Sequence, residues 1–255
     1  MARRLFDILA ASLGLLLAAP LLLLAALGIR LSSRGPVLYR SLRVGRGGGV
    51  FTMLKLRTMH ADQRGRHSKI TGHNDPRVFP FGRFLRKAKI DELPQLLNVL
   101  AGDMSIVGPR PEEPVFVARH YAPEHRETLS VRPGLASPGS IYNYTHGERL
   151  LDGADPEQHY LSRVLPVKLA LDRVYVQQRS FLFDLRVIGR TIDVIVAAML
   201  GRDDFPDPPE MAEAQRLTVA ARRWDRNSVP VDADARSMVL RFPPPAGTTM
   251  GSVLP

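Results

Sequence analysis

The hydrophobic and polar positions of this 255-residue chain fall into three rhythms. The first is an apolar run from Leu5 to Leu31, 27 residues whose only charges are Asp7 and Arg30. About 20 such residues cross a bilayer as a helix, so the run predicts a membrane-embedded segment. The second rhythm is helical. Leu93, Leu96, Leu97 and Leu100 stand at i, i+3, i+4 and i+7, which is one face of an amphipathic helix. Pro94 is tolerated only in a first turn, where its missing N–H has no partner to lose, so this helix starts near Asp91. Gly102 supplies its stop. Further helices are expected over Phe79 to Lys87, Glu112 to His125, Leu161 to Gln178 and Leu182 to Leu200. The third rhythm is alternation: Val37-Leu38-Tyr39 and Val50 to Leu56 read as strands, and Gly45-Arg46-Gly47-Gly48-Gly49 as the turn of a hairpin between them. No helix follows these glycines, so they are read as a turn and not as a phosphate loop.

Charge placement bears on how the apolar run meets a membrane. Arg3 and Arg4 precede it, and Arg30, Arg34, Arg40, Arg43 and Arg46 follow it. Cytoplasmic flanks attract Lys and Arg, so both ends want the same side. Pro20, near the midpoint, removes a helical hydrogen bond and favours a kink. A re-entrant helix, entering and leaving through one leaflet, satisfies both facts; a plain spanning helix with a harmless proline is the alternative. A cleavable signal peptide fits less well, because Pro20 stands where a cleavage site is wanted. Arg4 and Asp7, three residues apart, are expected to pair at the interface. In the last long helix, Leu185, Ile188, Ile192, Ile195 and Met199 keep helical spacing, while Arg186, Arg190 and Asp193 make it too polar to span. It is expected on the core or along the membrane surface.

Composition narrows the classes. The chain has no cysteine, which excludes a disulfide framework and thiolate metal sites. Its net charge of +10 is uneven: residues 1–201 carry 28 Lys+Arg against 17 Asp+Glu, and residues 202–255 carry 7 against 8. A basic front suits the phosphates of lipid, nucleotide or nucleic acid. No aromatic-interleaved basic patch or recognition motif is present, so nucleic acid is not an expected partner. His60, His67 and His73 are spaced by seven and six, which does not stack them on one helix face and argues against a histidine metal site. Beyond Asp203 there are eight prolines in 53 residues and no sustained apolar period. The expected organisation is therefore a membrane segment at 1–34, a folded domain at 35–202 and a Pro-rich tail at 203–255, largely disordered apart from a short helix over Met211 to Trp224.

Candidate chemistry centres on Asp91 and Glu92. At a helix mouth, free N–H groups and the dipole favour negative charge, so a capping role is the ordinary explanation. Their company suggests more. Arg83, Arg86, Lys87 and Lys89 precede the pair, and Gly108-Pro109-Arg110-Pro111 follows within a short turn. Two carboxylates among strong cations suit phosphate and a divalent metal. Lys55 and Arg57 alternate with Leu54 and Leu56 and so project from one strand face. A solvated face would explain them equally.

From Lys89 to Pro111 the chain reads KIDELPQLLNVLAGDMSIVGPRP, which closely resembles the signature of the bacterial sugar transferase family, small monotopic phosphoglycosyl transferases. The resemblance continues at Phe51 to Met59, at Val131-Arg132-Pro133-Gly134-Leu135 and at Asp184-Leu185-Arg186, covering roughly residues 1–200. It implies an α/β fold: a re-entrant membrane helix hairpin joined to a compact, helix-rich, membrane-associated domain with a small β-hairpin. The implied reaction moves a hexose-1-phosphate from a UDP-sugar to polyprenyl (undecaprenyl) phosphate and releases UMP, initiating exopolysaccharide, capsule, O-antigen or glycoconjugate synthesis. Asp91 would be the nucleophile, through a covalent aspartyl phosphosugar, and Glu92 a Mg²⁺ ligand. Lys55, Arg57, Arg86, Arg110 and Arg132 would contact phosphate, while Arg4, Asp7 and Pro20 would set topology. The implied location is the bacterial cytoplasmic membrane, among phospholipid, with the site facing the cytoplasm. The family often has Ser before the proline where Ala19 stands here, and Gly-Leu-Thr-Gly where this chain has Gly134-Leu135-Ala136-Ser137-Pro138. The rival reading is a non-catalytic membrane-bound organiser of a polysaccharide assembly complex. The sugar used and homodimer formation are left open.

Overall fold

The structure, a computed structural model, describes residues 2–60, 75–151 and 156–225. His67, His73 and the tail beyond residue 225 lie outside the described residues. Helix α1 (Ala2–Ser32) takes up the whole apolar run and continues through Pro20. At 1.5 Å per residue it is about 46 Å long. Strands β1 (Leu38–Val44) and β2 (Val50–Leu56) form the expected antiparallel hairpin, with Leu38 opposite Leu56 and Val44 opposite Val50. Next come α2 (Pro80–Lys87), a 3-10 turn over Ile90–Glu92, and α3 (Gln95–Ala101), which Gly102 ends in the left-handed conformation, φ 93°. Of the predicted leucine stripe, Leu96 is buried but Leu97 is 46 % exposed. Gln95 and Asn98 take the buried positions instead. α3 is not a helix with one apolar face on water; it lies against α1 on one side and β2 on another.

A second sheet, unpredicted from the sequence, pairs β3 (Ser105–Val107) in parallel with β4 (Gly134–Ala136). It needs two glycines: a Cβ on Gly134 would lie 2.1 Å from the Gly108 nitrogen, and one on Gly108 would lie 2.4 Å from the Arg132 carbonyl oxygen. α4 (Pro114–His120) leads into 3-10 turns over Pro123–Ser130 where one longer helix was expected. Two proline-led starts, at Pro114 and Pro123, account for the division. α5 (Pro138–Tyr142) runs into a π-helical turn, Asn143–Gly147. α6 (Pro156–His159) and a second π turn, Tyr160–Val164, lead to α7 (Leu165–Gln178), followed by α8 (Phe181–Met199) and α9 (Met211–Asp225). The domain is mostly helical with two small sheets, so the α/β description holds only in this limited sense.

The largest core surrounds α7, where Leu169, Leu171 and Val174 meet Phe116, Val117 and Tyr160. α9 joins it through Ala214, with Met211 and Leu217 alongside. Two other clusters include α1 itself. Ala11 packs with Met53, Leu96, Val99 and Met104, and Ala25 and Ile29 pack with Leu56, Phe79, Leu85 and Ile90. Polar bonds fix both ends of α1. Arg4 donates to the carbonyls of Val99 and Leu100 at 2.5 and 2.8 Å, satisfying free groups at the end of α3. Asp7 accepts from the Ser105 hydroxyl and the Ile106 N–H, each at 2.9 Å. The expected Arg4–Asp7 pair is thus replaced by separate bonds from each to the domain, because both side chains face α3 and β3. At the other end Ser33 is bonded by the Arg57 guanidinium.

The main core encloses one ion cluster. Lys168, 2 % exposed, bonds the Glu112 carboxylate, which also accepts from the Tyr160 hydroxyl at 2.7 Å. Burial pushes the Glu112 carboxyl up, but Lys168 and Arg43 outweigh it and bring its pKa from 4.5 to about 2. Its stabilising contribution is therefore complete above pH 4.5 and lost as pH falls toward 2. Lys168→Met, which strands a buried carboxylate, is expected to cost about 3–5 kcal/mol. That cost should shrink as pH falls, because a proton neutralises the stranded carboxyl. Thermal melts of the detergent-solubilised protein across pH check both.

Candidate active site

Asp91 and Glu92 lie in the 3-10 turn that joins α2 to α3, and the cap positions of that turn and of α3 have no side-chain hydrogen bond. The capping explanation for Asp91 is therefore not what the structure contains. Its carboxylate is buried, and Oδ1 has no hydrogen-bond partner among the described residues. Few native groups are left in that condition, since a buried unpaired acceptor costs about 1–3 kcal/mol. An unsatisfied carboxylate oxygen held in place is suited to meeting an electrophile.

Glu92 is the opposite case. Arg110 grips it with both arms, Nη1 to Oε2 at 2.8 Å and Nη2 to Oε1 at 2.6 Å. Lys55 Nζ lies 3.3 Å from Oε1, and the Gln95 amide donates to Oε2 at 3.3 Å. Burial alone would raise the pKa of each acid. For Glu92 that is outweighed by Arg110 and Lys55, which hold it well below the carboxylate range. For Asp91 burial and the neighbouring Glu92 charge win over Lys55, Lys89 and Arg86, and its pKa is raised. Two adjacent carboxyls are thus driven apart, one firmly ionised and the other poised, which marks functional sites more often than structural ones. Burial, with Arg110 and Arg43 nearby, also lowers Lys55 from 10.5 to about 8.

Three chain segments supply this cluster. Lys55 comes from β2, whose position is set by Asn98: its Oδ1 accepts from Leu54 N–H at 3.0 Å and its Nδ2 donates to the Thr52 carbonyl at 2.8 Å. Arg110 follows β3 and depends on the glycine contact with β4. Arg86 and Lys89 come from α2 and the turn after it and lie within electrostatic reach of Asp91. Neither Arg57 nor Arg132 joins the cluster. β2 ends at Leu56, so the alternation that pairs Arg57 with Lys55 breaks, and Arg57 turns into the anchor of α1. It bonds the Pro36 carbonyl at 2.5 Å, the Ser33 hydroxyl and carbonyl at 2.8 Å each, and the Met59 carbonyl at 3.2 Å. Arg132 bonds the Gly102 carbonyl at 2.8 Å. Asn98 and Gln95 were missed from sequence; polar residues buried in the middle of a leucine-rich helix were the available signal.

A long apolar helix joined to a domain that buries a poised carboxylate beside a clamped one, among cations, suits chemistry on phosphate esters. The chain belongs to the bacterial sugar transferase family, which it matches over residues 1–198. It is 42 % identical over 192 residues to a UDP-glucose:undecaprenyl-phosphate glucose-1-phosphate transferase of Caulobacter vibrioides, covering 74 % of this chain and 68 % of that protein. Exopolysaccharide production protein ExoY of Rhizobium meliloti is 37 % identical, with 76 % of this chain and 85 % of that protein covered. The UDP-glucose:undecaprenyl-phosphate glucose-1-phosphate transferase of Escherichia coli is 34 % identical over 74 % of this chain but only 39 % of its own length. The chain thus spans well under half of some relatives.

Lys55 and Arg57, adjacent in the strand pattern, should separate in experiment. Lys55→Met is expected to lower turnover by about 10² or more, with a smaller loss of stability than Lys168→Met because Arg110 still grips Glu92. Arg57→Lys should do the reverse, costing about 2 kcal/mol or more of stability through its lost bonds, with folded enzyme still active. Steady-state UMP release and thermal melts on both variants make the comparison.

Proposed function

We propose that the chain transfers a hexose-1-phosphate from a UDP-sugar to undecaprenyl phosphate, releasing UMP and starting exopolysaccharide synthesis. UDP-glucose is the donor to test first, because the Caulobacter and Escherichia relatives are named for it. The observation that carries the reading is the pair itself, Asp91 with an unpartnered buried oxygen beside Glu92 held ionised by Arg110 and Lys55.

In the first displacement an Asp91 carboxylate oxygen attacks the phosphorus that carries the sugar. A bond forms between that oxygen and phosphorus, and the bridging P–O bond to UMP breaks, its electron pair leaving with UMP. In the second, an oxygen of undecaprenyl phosphate attacks the same phosphorus and expels the Asp91 carboxylate. Dividing one displacement into two is the general use of a carboxylate nucleophile. Lys55 and Arg110 neutralise charge on the transferring group. Arg86 and Lys89 add positive potential at Asp91.

Among the described residues no cluster of three or more His, Cys, Asp or Glu could cage a metal. Mg²⁺ does not require one, since it commonly takes one or two carboxylates and completes its shell with phosphate oxygens and water. The Asp91–Glu92 pair fits that donor set, with Glu92 the ligand. Mg²⁺ bound there would add positive charge at the donor diphosphate. Arg110 bonds both Glu92 oxygens in this structure, so a ligand role for Glu92 requires Arg110 to give up one of them.

The membrane location is read from α1, a helix long and apolar enough to cross a bilayer. Leu16, Leu17 and Leu23 are 70 % exposed or more, an arrangement suited to lipid and costly in water. Both ends of α1 are bonded to the same domain, Arg4 and Asp7 at one and Ser33 at the other. This favours the re-entrant, monotopic form with both ends at the cytoplasmic face. α8 contributes as well, since Leu182, Leu185, Ile192 and Val196 are exposed while Val187 faces the core.

The covalent step is tested with donor labelled in its sugar phosphate. Without acceptor, label should pass transiently to wild-type protein and never to Asp91→Asn, whose turnover should fall on the order of 10³-fold or more although it folds. Label that reaches lipid without ever reaching protein in rapid quench would favour direct transfer. In the same assay Glu92→Gln should raise the Mg²⁺ needed for half-maximal rate.

Topology is tested by single cysteines at Ala2 and Arg34, in a chain that has none of its own. Both should resist an impermeant thiol reagent on intact cells and react after permeabilisation. Labelling of the Ala2 position from outside would establish a spanning helix.

A further inference from the structure

The turn before Asp91 is strained, and its strain is held by a side chain from a distant part of the chain. Lys89 has φ 55° and ψ 18°, the one non-glycine residue with positive φ among the described residues. A residue with a Cβ is disfavoured there, and glycine usually takes such a place after a helix. Asp91 lies two residues on, and no hydrogen bond fixes its Oδ1. The direction of that carboxylate therefore depends on the backbone that delivers it.

Lys89 is gripped from the π-helical turn after α5 and the residue that follows it. Its Nζ lies 4.2 Å from the centroid of the Tyr144 ring and 3.6 Å from Glu148 Oε1. The Tyr144 hydroxyl donates to the Lys87 carbonyl at 2.7 Å. One tyrosine thus holds the strained residue by its charge and the end of α2 by its backbone. Strained backbone persists where surroundings over-determine it, and π turns recur at functional sites.

We propose that Tyr144, with Glu148, is a positioning residue that clamps Lys89 in the left-handed conformation and so aims Asp91 for the first displacement. This rests on Asp91 as the nucleophile, proposed above.

Full-length enzyme in detergent, with UDP-glucose and undecaprenyl phosphate, provides the test. Tyr144→Ala should lower kcat by about tenfold or more, as small misplacements at a reacting centre do. Donor KM and the melting temperature should stay close to wild type, and Tyr144→Phe, which keeps the ring, should lose less. Lys89→Gly relieves the strain without a clamp, so adding Tyr144→Ala to it should change kcat little. If Lys89→Gly proves too slow to measure, Lys89→Asn takes its place, because Asn also accepts this conformation. An unchanged kcat in Tyr144→Ala, a loss that merely follows a fallen melting temperature, or an equal loss on either background would overturn the clamp. Wild-type protein that takes no label from donor would instead overturn the nucleophile reading, independently of Tyr144.

Discussion

Burying two adjacent carboxylates is the constraint on which the rest of this structure depends. Asp91 and Glu92 cannot both leave water uncompensated, and the cations that bond Glu92 come from other segments of the chain. Lys55 must come from the hairpin, Arg110 from the strand after α3, and Lys89 from the turn itself. Each delivery imposes a structural demand. Asn98 brackets β2 so that Lys55 arrives at the right height, and the glycine contact between β3 and β4 lets the Arg110 segment approach. The fold can be read as the scaffold needed to bring those three cations to one place.

Compensation is uneven, and the chemistry lies in that unevenness. The bidentate Arg110 grip leaves Glu92 with a settled charge, while Asp91 keeps an oxygen with nothing bonded to it. A fully satisfied pair would be stable and inert. A fully unsatisfied one would take up protons and lose its charge. One of each gives a nucleophile beside a carboxylate whose charge is fixed.

Much of this was legible in the sequence, for identifiable reasons. The apolar run, the Val50–Leu56 alternation and the glycine after α3 carry strong local signals, and all three elements are present. Asp91, Glu92, Lys55 and Arg110 were singled out and are brought together; Arg86 lies near. Arg57 shows the limit of a period-two argument: alternation gives the face of a residue only while the strand lasts, and β2 ends one residue earlier. Arg4 and Asp7 show another limit, because spacing along a helix makes a pair possible but cannot reveal better partners elsewhere. The three-residue strands β3 and β4 are too short to leave a pattern. The left-handed turn at Lys89 has no sequence mark, since it lacks the glycine that would announce it.

The bonds from Arg4 to the closing carbonyls of α3 join the first residues of the chain to the helix that follows the carboxylate pair. α3 and its carboxylate pair follow the start of the apolar helix by some ninety residues. Until the two meet, the end of α3 lacks its donors and Ala11 and Ile29 are missing from the layers beneath the site. The apolar helix is thus part of the scaffold beneath the carboxylate pair and more than an attachment to it.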